Sequence, residues 1–133
     1  MTLGPKQTIL VVEDKEPVRS VLLEILVDLG YTVLEASDGA HALELARTHD
    51  GPIHLLLADI VMPGMQGDEV ARRLRSFRPE TKILFMSGYT KQSVADDLVL
   101  QSGASFIAKP FSLPELTEKL REVLGEPPIS AGS

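Results

Sequence analysis

Four short apolar runs in this sequence each end on a polar residue of a kind that handles phosphate. Ile9-Leu10-Val11-Val12 leads into Glu13-Asp14, Leu55-Leu56-Leu57-Ala58 into Asp59, Ile83-Leu84-Phe85-Met86 into Ser87, and Phe106-Ile107-Ala108 into Lys109. If the runs are strands of one parallel sheet, these groups gather on one edge. With the first and third strands adjacent at the usual spacing of about 4.8 Å, the carboxylates of Asp14 and Asp59 approach within about 5 Å. Two such charges repel by roughly 3 kcal/mol at an effective dielectric of ~20, and Glu13 adds to the repulsion. A cation relieves it. Hard carboxylate oxygens with no His or Cys beside them point to Mg²⁺, which takes one or two carboxylates, keeps several waters and recruits phosphate oxygens from its substrate. Lys109 then supplies a point charge to a phosphoryl group, and Ser87 a hydroxyl donor.

Taken singly, each residue has a plainer reading. An Asp after a strand is more often a turn former or helix cap than a nucleophile. Glu13-Asp14 could simply open the next helix, where negative charge is favoured. Ser87-Gly88 reads as a turn, Lys109-Pro110 as a strand end, and Phe106 as core. The three histidines, His41, His49 and His54, share no metal-ligand spacing and read as surface or structural. The functional reading rests on coincidence: four separate strands end in complementary phosphate chemistry.

The elements that must position these groups follow from periodicity. From Pro17 onward, Val18, Val21, Leu22, Ile25, Leu26 and Leu29 recur at the spacing of one helix face, with Pro17 suited to the first turn and Gly30 to the end. Thr32-Val33-Leu34 reads as a strand, and Asp38 can cap a helix from about Gly39 to His49 whose apolar face carries Ala42, Leu43 and Ala46. Met62 to Gly67 is a loop by its Pro and Gly content. Val70, Leu74 and Phe77 then mark a helix that stops before Pro79. A weakly patterned helix spans roughly 93–101. Ser112 with Glu115 forms a capping box that opens a last helix carrying Leu113, Leu116, Leu120 and Val123, with Gly125 past its end. Five repeats of a β-α unit, with every strand apolar on both faces, imply an α/β domain: a parallel sheet between two layers of helices. In such sheets the ligand site lies beyond the carboxyl ends of the strands, near the point where strand order reverses.

Length and composition set the frame. The 133 residues, 44% hydrophobic, fit one domain, expected over 8–125 with a flexible lead over 1–7 and a flexible tail over 126–133. With 19 acidic against 13 basic residues the net charge is −6, which disfavours direct contact with nucleic acid. The chain has no cysteine. No apolar stretch approaches the ~20 residues of a membrane span, so no membrane insertion is expected and the cytoplasm is the expected compartment.

At this point the residues resemble a known family, the response-regulator receiver domains of two-component signalling. The likeness runs from about Thr8 to Leu124 and rests on four motifs. They are the acidic pair of Val-Val-Glu13-Asp14, the stretch from Asp59 through Met62-Pro63-Gly64 to Gly67, the Met86-Ser87-Gly88 turn and Ala108-Lys109-Pro110-Phe111. The Ser-Gly-Tyr within Ile83 to Thr90 and the Lys-Pro-Phe-Ser ending look most like receivers attached to hybrid histidine kinases. The resemblance implies a doubly wound, flavodoxin-like sheet of order 2-1-3-4-5. It implies Asp59 as phosphoacceptor, and Asp14 and Asp59 as Mg²⁺ ligands with the backbone carbonyl of Val61. Glu13 would act through the metal's water shell, Lys109 and Ser87 as phosphoryl contacts, and Phe106 as the aromatic switch. Phe106 stands where the family often has Tyr, so a hydrogen bond from that ring is lost and rotation between buried and exposed positions is the expected event.

A histidine kinase or histidine phosphotransfer protein is then the expected donor. The chain would catalyse only its own phosphorylation and a slow self-dephosphorylation. No DNA-binding or enzymatic output segment is visible, so the signal is expected to pass to a partner protein, or to domains missing from this chain, with the face made by the helix over 93–101, the fifth strand and the last helix as the expected contact. The positions two after the phosphoacceptor and two after the Ser, here Val61 and Tyr89, flank the phosphoryl group. Val61 offers no hydrogen bond to a hydrolytic water and Tyr89 is bulky enough to screen its approach, hence the expectation of a long-lived phosphate. Rival readings fit less well. An aspartyl-phosphate phosphatase resembles its relatives in a second Asp two residues after the nucleophile, where this chain has Val61. A flavin module needs a Ser/Thr/Gly-rich loop after the first strand, and Glu13-Asp14-Lys15-Glu16 is acidic instead. An interaction domain without phosphorylation has no use for Asp14, Asp59, Ser87 and Lys109 together.

Overall fold

The computed structural model describes residues 7–87 and 104–125. Its elements run β1 (Thr8–Val12), α1 (Glu16–Asp28), β2 (Thr32–Ala36), α2 (Gly39–Thr48), β3 (Leu55–Asp59), α3 (Gly67–Phe77), β4 (Lys82–Ser87), β5 (Ser105–Ala108) and α4 (Leu113–Leu124). The expected helix over 93–101, Gly88, Tyr89 and the tail from 126 lie outside the described residues.

All strand pairs are parallel and the sheet order is β2-β1-β3-β4-β5, as expected. Strand order reverses between β1 and β3. Because both faces of the sheet are covered, β1 and β3 are buried throughout, and alternate residues feed two cores. Leu10, Val12, Leu56, Ala58 and Phe85 pack against Ala42, Leu43 and Ala46 of α2 and Val70, Ala71 and Leu74 of α3. Ile9, Val11, Leu55, Leu57, Leu84, Met86 and Ile107 face the other way, against Leu22 and Leu26 of α1 and Leu116 and Leu120 of α4.

The helix ends follow the expected chemistry. Oδ1 of Asp38 accepts the His41 N–H at 2.8 Å, and the Ser112–Glu115 capping box is formed in both directions. Gly125 closes α4 at φ 87°, a conformation that costs a residue with a Cβ. Three residues placed on apolar faces by periodicity are exposed instead: Val21, Phe77 and Leu113. Leu113 sits in the first turn of α4, whose buried residues are Leu116 and Leu120. Phe77 ends α3 and carries the Arg47 guanidinium 5.5 Å from its ring centre. Val21 lines an open apolar groove with Val18, Ile25, Pro110 and Phe111. Arg78, just past α3, donates to the carbonyls of Ala46, His49 and Gly51 at 2.8–2.9 Å and so ties down the end of α2. His54 is structural, its Nδ1 accepting the Thr8 N–H at 2.9 Å. No helix of the described residues is long and apolar enough to cross a membrane.

Candidate phosphoacceptor site

The carboxyl ends of β1, β3 and β5 bring four of the expected residues together. Glu13 and Asp14 follow β1, Asp59 ends β3, and Lys109 follows β5. One carboxylate oxygen each from Glu13, Asp14 and Asp59 lies within 4.8 Å of the others. The Lys109 ammonium enters this cluster, donating to Asp59 Oδ2 at 2.9 Å and to Glu13 Oε1. Glu13 and Asp59 are buried, and the Lys109 side chain is only 16% exposed. Three carboxylates and one ammonium leave a net negative charge in a small, poorly solvated volume.

Burial pushes the Glu13 carboxyl above its usual range, the Lys109 hydrogen bond offsetting only part of that effect while Asp59 adds to it. Lys109 responds oppositely. Burial disfavours its charge, yet the hydrogen bonds and charges of Glu13 and Asp59 outweigh that and hold its pKa above the ordinary value. The ammonium is therefore fully charged at neutral pH, and the cluster still lacks positive charge. Among the described residues, Glu13 Oε2 and Asp14 Oδ1 are buried without a hydrogen-bond partner. Buried acceptors of this kind, all hard oxygen, fit a small divalent cation such as Mg²⁺.

The other expected residues take these places. Asp59 Oδ1 accepts the Val61 N–H at 3.2 Å, so the Val61 backbone borders the carboxylate while its side chain stands 65% exposed. Ser87 is buried at the end of β4, between β3 and β5, and its carbonyl accepts the Lys109 N–H at 2.8 Å. Phe106 pairs in register with Phe85 and packs, half-buried, against the core under α2 and α3, one residue from the face that Ile107 gives to α1 and α4. Tyr89 lies outside the described residues.

Two contributors were not singled out from the sequence. Gly67 opens α3 directly against Asp59: a Cβ built there would fall 2.2 Å from the Asp59 carbonyl oxygen, and its N–H bonds the Ile60 carbonyl at 2.9 Å. Its place at the end of the Asp59 motif was the available signal. Arg19, on the first turns of α1, donates to the Glu13 carbonyl at 2.9 Å, a contact with no signature in spacing or type.

A family model described as the response regulator receiver domain matches residues 9–121. The chain belongs to that family. Receiver domains serve two-component signalling as phosphoacceptors, take phosphoryl groups from histidine kinases or phosphotransfer proteins, and bind Mg²⁺ at an acidic pocket. This receiver is 37% identical over 116 residues to the response regulator receiver protein CpdR of Brucella abortus, covering 87% of this chain and 95% of CpdR. It is 38% identical over 122 residues to the sensor kinase CckA of the same organism, covering 92% of this chain but only 13% of the kinase. Among solved structures, the receiver domain of the hybrid histidine kinase CckA superposes with a TM-score of 0.74 at 34% identity, over 88% of this chain and 98% of that one. The chemotaxis protein CheY4 of Vibrio cholerae superposes with a TM-score of 0.82 at 29% identity, over 90% and 100% of the two chains. The expected likeness to receivers of hybrid kinases is thus found, beside one to a receiver of this chain's own size.

Proposed function

We propose that this receiver accepts a phosphoryl group onto Asp59 from a phosphohistidine of a histidine kinase or phosphotransfer protein in the cytoplasm, and relays the change to a partner protein. The observation that carries the reading is the Lys109 ammonium shared between Asp59 and Glu13 within a cluster that still has buried, unpartnered carboxylate oxygens. A carboxylate oxygen of Asp59 attacks phosphorus as the P–N bond of the donor breaks, and the imidazole leaves with the bonding electron pair. Lys109 lies within hydrogen-bond reach of the attacking carboxylate and pairs its charge with the arriving phosphoryl oxygens. Asp14 and Asp59, with the Val61 carbonyl, would hold Mg²⁺ directly and Glu13 through water. Bound there, the ion supplies positive charge to the phosphoryl oxygens during transfer.

The Ser87 hydroxyl then turns to the phosphoryl group, and Phe106 packs into the space vacated. This biases the surface of β5, α4 and the expected helix over 93–101 between two states. Catalysis is confined to the domain's own modification and its slow reversal. The test is intact-mass measurement after incubation with acetyl phosphate or phosphoramidate and Mg²⁺. A gain of about 80 Da is expected, lost in Asp59→Asn and in EDTA. Equal labelling of the Asp59→Asn variant overturns the assignment.

A further inference from the structure

Arg19 stands outside the cluster of charges yet touches the peptide that carries it. Its guanidinium donates through one terminal nitrogen to the Glu13 carbonyl at 2.9 Å, and its Nε lies 3.5 Å from Oε2 of Glu35 on β2. Glu35 pairs in register with Val11, two residues before Glu13. The side chain is only 17% exposed, low for an arginine. The carbonyl it holds belongs to the Glu13–Asp14 peptide, whose plane sets where the Asp14 side chain leaves the backbone. The first helical bond of α1, Arg19 N–H to the Lys15 carbonyl at 3.0 Å, fixes the base of the same arginine. The planar fork thus joins three elements, α1, the turn after β1 and the end of β2, in a way that a flexible ammonium does not reproduce.

We infer that Arg19 is a positioning residue: by clamping the Glu13–Asp14 peptide to Glu35, it aims the acidic pair at the divalent cation that Asp59 chemistry needs. The inference rests on the phosphoacceptor reading and extends it to a residue that touches neither metal nor phosphate. Its effect is that of an outer-layer partner orienting ligands.

The test uses the full chain carrying Arg19→Met, which keeps the apolar stem, and Arg19→Lys, which also keeps the charge. Mg²⁺ is titrated while backbone amide NMR shifts of Asp14 and Asp59 are followed, and labelling by acetyl phosphate is measured at each Mg²⁺ concentration. Arg19→Met is expected to weaken Mg²⁺ binding by about tenfold, with Arg19→Lys recovering only part, and to leave labelling at saturating Mg²⁺ close to the parent. In an Asp14→Ala background the Arg19→Met change is expected to have no further effect on Mg²⁺ binding, whereas a merely structural arginine would lower the melting temperature equally in both backgrounds and leave the Mg²⁺ constant alone. Parent-like Mg²⁺ binding in Arg19→Met overturns the inference. If that variant does not fold, parent-like binding in Arg19→Lys does so. Failure of the phosphoacceptor reading is separate, since it shows as label retained by Asp59→Asn.

Discussion

Lys109 and Asp59 meet at 2.9 Å across the intervening strand β4, with the ammonium shared by Glu13 on the far side. In the resting fold the lysine is therefore a structural counter-ion. Breaking a fully buried pair costs ~3–5 kcal/mol, and this pair keeps some solvent contact, so Lys109→Ala is expected to lose on the order of 2 kcal/mol in urea melts run in EDTA. An unchanged unfolding midpoint would mean the ammonium contributes nothing to the resting fold.

On the proposed reading, Mg²⁺ takes over part of that neutralisation. An ion that binds only the folded chain stabilises it by mass action, by about 2.7 kcal/mol at a hundredfold excess over its dissociation constant. Millimolar Mg²⁺ is expected to raise the melting temperature of the parent, and Asp14→Ala to remove most of the increment. A melting temperature indifferent to Mg²⁺ in both proteins argues against a metal site.

Acid has a separate point of attack at the start of α4. The Glu115 carboxyl, fully exposed, is held below its usual range by the Ser112 backbone N–H and then by the Ser112 side chain. A folded-state pKa below the unfolded one gives stability that is present above the unfolded value of about 4.3 and is lost as pH falls through the folded value. The parent is expected to lose more stability than Glu115→Gln as pH drops below that point, since the amide keeps the acceptor without titrating. Parallel denaturant midpoints for the two proteins across the acid range would show that the box does not hold the charge.

The lifetime of the phosphate tests the mouth of the site. Val61 presents an exposed apolar side chain two residues after Asp59, with nothing to orient a hydrolytic water. The double change Val61→Asn with Tyr89→Glu is expected to speed phosphate loss by roughly tenfold, if placing the water lowers the barrier by about 1.4 kcal/mol. A time course after donor removal reads it. An equal or slower rate would mean that water access at these positions does not set the lifetime.

What could be read from the sequence was governed by whether a residue's signal is local. The strands, their parallel pairing, the Asp38 cap, the Ser112–Glu115 box and the four groups Glu13, Asp14, Asp59 and Lys109 were legible because each sits at the end of an apolar run or at a fixed offset from a helix start. The electrostatic state of Lys109 was not. Sequence reading makes it a point charge for a phosphoryl group, whereas its partners lie 50 and 96 positions away and only the sheet order brings them to it. Arg19 was hidden for a different reason: it acts on a backbone carbonyl only six positions away, in the turn after β1, which no side-chain pattern advertises, whereas the close approach of Gly67 to the Asp59 backbone was signalled only by its place in the motif. Val21 and Leu113 show the reverse error: periodicity counts them with an apolar face whose buried part is only Leu22 and Leu26 in α1 and Leu116 and Leu120 in α4.

The long reach of the Lys109 contacts also bears on protein synthesis. Residues 13 and 59 leave the ribosome well before residue 109, so a growing chain holds its carboxylates without the ammonium that balances them. On the proposed reading such a chain is a poor phosphate acceptor, and one that has let β5 slip is no better. On the same reading a histidine kinase would write its signal poorly onto unfinished or frayed molecules and well onto copies whose last strand has docked.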